Sequence, residues 1–435
     1  MNGANMINIG IVGCGTVGVN VVKILEKHSD IIKSKVGCDI NIKWICDKDL
    51  SRLKQLDFPS ENITTDVNKI ILDPSVDILI ELIGESDISK KIIIEAMNRG
   101  KHIVTANKAV LSKYWDEIFS VALRKKLLVY FEAAVGAGIP VIQSLNEGLA
   151  ANKIQSIVGI LNGTTNFILS KMTDNNMGFD EALKLAQKSG FAEANPLLDL
   201  NGSDAAQKLS ILASIAFGNH LPFEKIYCEG ILGISSFDIR CAKNEFDYVL
   251  KLLASVKNEN DEISATVYPT FIHSEHPLAA VENEYNAIYI EGDSCGDIML
   301  YGKGAGGPAA ASAVVSDIIY LARNIFYKTA GKFPYILYNK KIKLKIKPIE
   351  KVENKYYVRF LTVDKPGVLS KISGILGKNN VSISACFQKE RHKKRAIPVL
   401  ILTHQTKEGN IRKAIKIIDD LPIVKSKTVV LRIME

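Results

Sequence analysis

Short apolar runs alternate with amphipathic segments from the N-terminus to about residue 131. Each run is apolar at consecutive positions, which is typical of parallel strands covered on both faces, and the segments between them have helical periodicity. The pattern predicts an α/β domain, a Rossmann-type doubly wound parallel sheet. The predicted strands are residues 6–12, 41–46, 76–82 and 102–105, with a helix at 17–27 after the first of them.

The pattern becomes mixed over residues 132–301, where strand-like and helical segments follow each other irregularly. This predicts a second, α+β domain. A glycine-rich turn near Gly302 then leads into an apolar helix, which we expect to pack back on the first domain and to complete it with residues 302–328. The predicted strands are 154–161, 265–272 and 287–291, and the predicted helices are 180–189, 205–215 and 309–326.

The last 80 or so residues give a regular order of strand, helix, two strands, helix and strand. This βαββαβ order predicts a ferredoxin-like domain over residues 355–435, after a lysine-rich linker at 329–354. The predicted strands are 356–363, 381–388, 396–404 and 427–433, and the predicted helices are 368–378 and 409–421.

Composition narrows the class of protein. The chain has 435 residues, 47% of them hydrophobic, and a formal charge of +8 that is concentrated in residues 339–351 and 389–395. Such basic runs are usually solvated surface, and no zinc-finger spacing accompanies them, so we expect no nucleic-acid partner. The seven cysteines form no CxxC pair, and we find neither a signal peptide nor an apolar run of ~20 residues. We therefore expect a cytoplasmic protein without a membrane partner.

A glycine motif lies between the first predicted strand and helix. Gly13, Gly15 and Gly18 have GxGxxG spacing, and Thr16 and Val17 open the helix beside them. The first glycine permits a tight turn, the second lets the backbone approach a pyrophosphate, and the third lets helix and strand pack closely. The segment predicts a dinucleotide site for NAD or NADP.

The residues after the second strand leave the choice of cofactor open. Asp47 could accept a hydrogen bond from the ribose 2′-hydroxyl of NAD, although it lies further along than the usual ~20 residues. Lys48 and Arg52 could instead hold the 2′-phosphate of NADP. The sequence therefore does not distinguish NAD from NADP.

Two polar segments are candidates for the chemistry. Thr105 and Lys108 lie where a strand ends, the edge at which open α/β sheets bind ligands. Asp204 and Lys208 are four residues apart on a helix whose next face is apolar. An exposed structural ion pair and a functional pair explain these residues equally well.

Seven motifs follow each other in order across most of residues 7–326, namely GIVGCGTVG, ELIGE, GKHIVTANK, EAAVGAGIP, GILNGTTNFIL, GFAEANPLLDLNGSDAAQK and GKGAGGPAAASAVVSD. In these motifs the chain resembles the homoserine dehydrogenase family. The C-terminal unit resembles an ACT domain, an amino-acid-binding module. The resemblance implies reversible NAD(P)-dependent interconversion of L-homoserine and L-aspartate 4-semialdehyde by a homodimer that dimerises through the second domain.

The resemblance also implies roles for individual residues. Lys208 is the proton donor to the aldehyde oxygen, Asp204 holds Lys208 or the substrate hydroxyl, and Lys108 bridges substrate and nicotinamide. Glu193 and Asp199 receive the ammonium end of the substrate. Two glycines approach the cofactor, Gly190 and Gly306.

A monovalent-cation site, for an ion such as Na⁺, is implied by the same resemblance. Its ligands are Glu132 and backbone carbonyls, a set of oxygens that suits a hard cation, whereas a tight turn without an ion is the alternative. The carbonyls belong to Val135, Ala137 and Ile139. Three positions depart from the family pattern, Asn195 for an aspartate, Ala310 in a stretch that often has a threonine, and Ala134 for a small hydroxyl residue.

The regulatory hypothesis concerns the C-terminal unit. Asp364 opens a turn before its first helix, and Asn379 and Asn380 precede its second strand. In ACT domains these places line an amino-acid pocket, so we expect feedback by threonine, with a purely structural dimerisation module as the alternative. For the whole chain, the alternatives are a semialdehyde dehydrogenase with a cysteine nucleophile and a non-catalytic amino-acid sensor.

Overall fold

The computed structural model describes residues 6–53, 56, 58–259, 262–339, 343–388 and 396–434. They form two compact units. The first contains Met1–Gly163, Asp204–Ile226 and Glu284–Leu344, and the second contains Thr164–Ser203, Tyr227–Asn283 and Lys345–Glu435. The basic run predicted at 389–395 lies outside the described residues, as do residues 340–342 of the other run.

The strands and helices follow in chain order. The strands are β1 Ile7–Val12, β2 Ile40–Cys46, β3 Ile63–Thr64, β4 Ile78–Glu81, β5 His102–Thr105, β6 Val129–Tyr130, β7 Ile154–Ile160, β8 Tyr227–Cys228, β9 Tyr248–Glu259, β10 Glu262–His273, β11 Tyr285–Gly292, β12 Gly296–Lys303, β13 Lys345–Ile346, β14 Glu353–Thr362, β15 Ile383–Gln388, β16 Ile397–Thr403, β17 Thr406–Lys407 and β18 Val429–Met434. The helices are α1 Thr16–Lys27, α2 Ser29–Val36, α3 Leu50–Leu53, α4 Asn68–Leu72, α5 Ser86–Asn98, α6 Lys108–Lys125, α7 Val141–Gln143, α8 Gly163–Asp174, α9 Phe179–Lys188, α10 Leu197–Leu200, α11 Ser203–Ala216, α12 Ser236–Phe246, α13 Gly307–Phe326, α14 Val368–Lys378 and α15 Glu408–Asp419.

The first unit is built on a parallel sheet with strand order β3-β2-β1-β4-β5-β6. Its central strands are buried on both faces, and Ile78, Leu79 and Ile80 of β4 are fully inaccessible. Consecutive apolar residues are required by such strands because helices cover both sides of the sheet. The predicted doubly wound α/β class is confirmed.

The helix α13 packs into the core of this unit, as expected from its sequence. Ala311, Val314, Ile318 and Leu321 belong to the same apolar cluster as the residues of β1 and α1. By length and overall composition α13 could cross a membrane, but Asp317 and Arg323 interrupt it, so it is not a continuous apolar run. Half of its apolar stretch is buried inside the protein, which is ordinary for the core helix of a folded domain.

Three strands of the first unit that belong to a second sheet carry part of the candidate site. Strands β12, β11 and β7 pair antiparallel in that order. At one end of this sheet, Ala287 of β11 pairs with Ile160, the last residue of β7. Leu161 and Asn162 follow directly, so the sheet fixes the start of the segment that enters the site.

The second unit combines an antiparallel β9–β10 pair with the C-terminal domain. Strand β10 pairs parallel with β18, and the C-terminal strands lie in the order β18-β14-β16-β15, with α14 and α15 sharing their apolar core. This is the ferredoxin-like arrangement predicted from the βαββαβ order. Strand β13 also pairs with β10, so the C-terminal end of the predicted linker takes part in this sheet.

Candidate active site

The glycine motif forms a tight turn from β1 into α1. Gly13 has φ +100°, and a Cβ there would lie 2.8 Å from the carbonyl carbon and oxygen of Leu82. A Cβ on Gly18 would lie 2.3 Å from the carbonyl oxygen of Gly13. Gly15 precedes α1 and makes no side-chain cap, so the first N–H groups of the helix are left for an anionic ligand. These features fit the pyrophosphate of a dinucleotide.

A cleft of about 290 Å³ adjoins this turn and is lined by Gly13, Gly15, Asp47, Lys48 and Arg52, among others. The carboxylate of Asp47 accepts hydrogen bonds from the backbone N–H of Cys14, at 2.6 Å, and of Asp49, at 2.9 Å. Asp47 therefore already holds the glycine turn, whereas the two cations face the same cleft. The cleft suits the ribose and phosphate end of a nicotinamide dinucleotide.

The centre of the candidate site is the carboxylate of Asp204, which is buried in the first turn of α11. Its Oδ2 lies 2.8 Å from Nζ of Lys208, one helical turn later, and its Oδ1 lies 3.2 Å from Nζ of Lys108 at the start of α6. Asn162 donates to Oδ2 at 2.9 Å. Burial raises the pKa of Asp204, but the two ammonium groups outweigh it and hold the pKa well below its ordinary value.

Lys208 is held in one orientation. Besides Asp204, its Nζ donates to the backbone carbonyl of Leu161 at 2.7 Å, and its side chain is only 12% exposed. An ammonium group has three N–H donors. Among the described residues, two of them have partners, so the third can be offered to a ligand.

The structure thus brings together three residues that the sequence singled out, Lys108, Asp204 and Lys208. It adds Leu161 and Asn162, which sequence reasoning did not assign to the site. The signal for Asn162 was the motif GILNGTTNFIL, in which it comes two residues after the end of the buried strand β7. A carbonyl that orients a lysine carries no such signal, because any residue type supplies it.

Three other predicted residues belong to the second unit. Asp199 lies on the short helix α10, Glu193 precedes that helix, and Gly190 has φ +77° after α9. Of the positions that depart from the family pattern, Asn195 accepts a hydrogen bond from the N–H of Leu197 at 3.4 Å. The substrate and cofactor roles of Glu193, Asp199 and Gly190 stay predictions.

The predicted cation loop has a buried carboxylate and an unusual backbone. Glu132 accepts hydrogen bonds from the N–H groups of Ile142 and Gln143, at 2.8 and 2.9 Å. Burial raises its pKa to about 7. Ala137 has φ +45° in the left-handed region, and Gly136 before it has φ +72°. The loop therefore bends sharply at these two residues, and its role as a cation site stays a prediction.

Three of the cysteines are poor candidates for a thiol nucleophile. Burial raises the pKa of the thiols of Cys14, Cys46 and Cys228 to about 11 in each case. Since the thiolate is the nucleophile, these groups are unreactive near neutral pH. The semialdehyde dehydrogenase alternative lacks the group that its chemistry needs at these positions.

The turn assigned to an effector lies in the second unit. Gly367, with φ +84°, precedes α14, three residues after Asp364. Asn379 ends that helix and donates to the carbonyl of Ile375, and Asn380, with φ +57°, accepts from the hydroxyl of Thr406.

Comparisons with known proteins decide the family. Family models described as homoserine dehydrogenase, as its NAD binding domain and as the ACT domain match residues 140–319, 13–132 and 356–422. Homoserine dehydrogenase from Neisseria gonorrhoeae is 39% identical over 98% of both chains. The chain belongs to the homoserine dehydrogenase family. The enzyme of that name from Bacillus subtilis is 37% identical over 96% of both chains.

Solved structures agree with this assignment. A homoserine dehydrogenase from Thiobacillus denitrificans has a TM-score of 0.95 at 38% identity and covers all of both chains. A hyperthermophilic archaeal homoserine dehydrogenase in complex with NADPH has a TM-score of 0.62 at 28% identity, over 76% of this chain and 99% of that one. The predicted family, the fold class and the C-terminal ACT domain are confirmed, and the sensor alternative has no support.

Proposed function

We propose that this chain catalyses the reversible NAD(P)-dependent interconversion of L-homoserine and L-aspartate 4-semialdehyde. The observation that carries the proposal is the buried Asp204, whose carboxylate lies within 3.2 Å of the ammonium groups of both Lys208 and Lys108. Family membership over nearly the whole chain supports the same reaction.

In this mechanism Lys208 gives a proton to the aldehyde oxygen. Leu161 and Asp204 fix two of its N–H groups, so the remaining N–H points in one direction and loses little orientational freedom in the reaction. Asp204 stays ionised because the ammonium group of Lys108 still faces it after Lys208 has given up its proton. Its Oδ2 keeps the resulting amine in place until a proton from solvent restores the ammonium group. Lys108 is the second cation beside the reacting oxygen.

The nicotinamide cofactor, when bound, supplies hydride to the aldehyde carbon or accepts it from homoserine. Gly13, Gly15, Thr16, Val17 and Gly18 would hold its pyrophosphate. Gly190, Gly306 and Thr105 are further proposed contacts. At the other end of the substrate, Glu193 and Asp199 would receive the ammonium group by charge-assisted hydrogen bonds.

NADP is the proposed preferred cofactor. Both oxygens of Asp47 already accept backbone N–H groups, and the cations of Lys48 and Arg52 line the same cleft. Replacing Arg52 with Gln should raise the KM for NADP by roughly tenfold, about the value of one charge-assisted contact, and leave that for NAD nearly unchanged. Equal changes in both KM values would contradict this preference.

A monovalent cation and an amino-acid effector complete the proposal. The cation, such as Na⁺, would be held by Glu132 and by the carbonyls of Val135, Ala137 and Ile139. Threonine would bind the ACT domain near Asp364 and Asn379 and inhibit the enzyme. A titration of activity and binding heat against threonine tests this, and no response in either would remove threonine as the effector. A cytoplasmic homodimer is the proposed working form.

The reaction itself is tested by NAD(P)H absorbance with purified protein. L-homoserine is supplied with NADP and with NAD in turn, and homoserine-dependent formation of NADPH is expected. A protein that binds NADPH but reduces neither cofactor would overturn the proposed function.

A further inference from the structure

Beside the strand end that leads to Lys108 lies a buried carboxylate to which the mechanism gives no role. Glu81, the last residue of β4, is fully inaccessible to solvent. Its Oε2 accepts from the hydroxyl of Thr105 at 2.6 Å, and its Oε1 accepts from the hydroxyl of Ser89 at 2.7 Å and the N–H of Ile83 at 2.6 Å. Burying a lone carboxylate is costly, so three donors on one such group indicate a specific requirement.

Both side-chain contacts lead to the same residue, Asn107. The hydroxyl of Thr105 accepts from the backbone N–H of Asn107 at 3.1 Å. The hydroxyl of Ser89 accepts from its side-chain amide at 3.0 Å. The direction of both hydroxyl groups is fixed, since each donates to Glu81 and therefore must accept from Asn107.

Asn107 in turn sets the start of α6. Its side-chain oxygen caps the helix by accepting from the N–H of Val110 at 3.1 Å. Lys108 is the first residue of that helix, and its Nζ lies 3.2 Å from Asp204. Glu81 is therefore connected to Lys108 through two parallel hydrogen-bonded branches and one helix cap.

We propose that Glu81 is a positioning residue for the dehydrogenase reaction, which directs Lys108 toward Asp204 through Thr105, Ser89 and Asn107. The inference rests on the proposed function for its kinetic readout and on the geometry of the first unit for the rest. Burial raises the pKa of Glu81, and the hydrogen bonds from Thr105 and Ser89 oppose that rise. A carboxylate supplies acceptors only, as the two branches require.

The test is Glu81→Gln, with Lys101→Met as a matched control. The glutamine keeps the shape of the side chain, but its NH₂ group would face groups that all donate to Glu81. At least one hydrogen bond between a branch and residue 81 must therefore reverse its direction or break. Lys101 is also buried, and it lies just before β5. Its ammonium group donates to the carbonyls of Asp73 and Val76, just before β4, and so holds the starts of the two strands together. Its replacement weakens the sheet without touching the two branches.

Glu81→Gln should lower kcat for homoserine oxidation by ~10–100-fold, the size expected for a catalytic group displaced by about 1 Å, and leave the Kd for NADPH within about threefold. Labelling of Lys108 by an amine reagent, followed by mass spectrometry, should become several-fold faster. Lys101→Met should change melting temperature without either effect. An unchanged kcat and labelling rate in Glu81→Gln, or equal changes in Lys101→Met, would overturn the proposal.

Ser89→Ala keeps the test decisive if Glu81→Gln does not fold, because it removes one branch and adds no donor. We expect a several-fold lower kcat and faster labelling of Lys108, and unchanged values would again overturn the proposal. The double variant should be no worse than Glu81→Gln alone, since both act through Asn107. If the wild-type chain does not oxidise homoserine, the proposed function fails, while the labelling result still decides the role of Glu81.

Discussion

Two groups of paired charged side chains, one in each compact unit, are built from different cations. In the first unit, one carboxylate, Asp204, faces the ammonium groups of Lys208 and Lys108. In the second unit, Arg432 of β18 lies between Glu229 and Glu408, and Arg412 contacts the same two carboxylates. The first group has one cation more than it has anions, whereas the second is balanced.

The choice between lysine and arginine distinguishes a group that can transfer a proton from one that only stabilises the fold. A lysine can release a proton and reorient its three donors, whereas a guanidinium stays charged and presents a rigid planar fork. The Arg432 group joins strand β18, the start of α15 and the residue that follows β8, so it secures the ACT domain to the rest of the second unit. The surplus positive charge beside Asp204 is instead suited to an oxygen that gains negative charge during the reaction.

The largest expected effect is on Lys208. Replacing it with Ala should lower kcat by ~10²–10⁴-fold, the usual contribution of a general acid, while the Kd for NADPH changes little. Lys208→Arg should be nearly as slow, because the guanidinium restores the charge but does not release a proton near neutral pH. Steady-state kinetics and NADPH fluorescence measure both.

The arginine variant decides what the cation does. If Lys208→Arg recovered most of the activity, charge alone would suffice and the contrast between the two groups would disappear. If Lys208→Ala itself kept wild-type kcat, the proton-donor assignment would be wrong.

The sequence predicted the elements well where one signal dominates. Residues 78–80 of β4 are apolar at every position, and a strand buried on both faces needs nothing else. In the last domain the periodicity changes wherever a strand meets a helix, so the order βαββαβ follows. Strand ends shifted by one to three residues because local hydrogen bonds, which periodicity does not encode, determine them.

The site was predicted only in part, for a physical reason. Asp204 and Lys208 share a helix, so their spacing alone brings them together. Asn162 and Glu81, like Arg432 of the second group, act through partners distant in sequence, and such partners are known only once the fold is formed. A signal existed for Glu81 and Arg432, since each is the charged residue of an otherwise apolar strand.

Removing the central arginine of the second group should lower the free energy of unfolding and leave kcat unchanged. Arg432→Met leaves Glu229 and Glu408 without their central cation, and removing one partner of a buried ion pair costs about 3–5 kcal/mol. The free energy of unfolding from urea titration should fall by that amount, with kcat of the folded fraction near that of the wild type. A loss below about 1 kcal/mol would mean that water replaces the arginine easily.

Acid should weaken the second group in a defined pH window. Burial raises the pKa of Glu408, but hydrogen bonds and charge from Arg432 and Arg412 outweigh it, so the folded pKa lies below the ordinary value. Its stabilisation is therefore fully present above the ordinary pKa of about 4.3 and is lost as pH falls from there toward the folded pKa.

Glu408→Gln removes that titration. It should cost about 1–3 kcal/mol at pH 7, because charge-assisted bonds become neutral ones, and it should flatten the loss of stability below about pH 4.5. Urea midpoints across this range measure both effects. The control is Glu275→Gln, whose side chain is 88% exposed and which should behave as the wild type. A wild-type slope in Glu408→Gln would assign the acid sensitivity to other carboxylates.

The smallest loss of stability is expected for Arg412→Ala. Arg412 and Arg432 carry the same charge but differ in burial, so comparing them shows how much burial matters within the second group. Its side chain is 43% exposed, against 4% for Arg432, although both contact Glu408. Solvent screens its pairing, so Arg412→Ala should cost no more than about 1 kcal/mol, and less in high salt. Urea titration of both variants at two salt concentrations gives the comparison. Should Arg412→Ala prove as costly as Arg432→Met, the four charges would act as one unit, and burial would not explain why one arginine matters more.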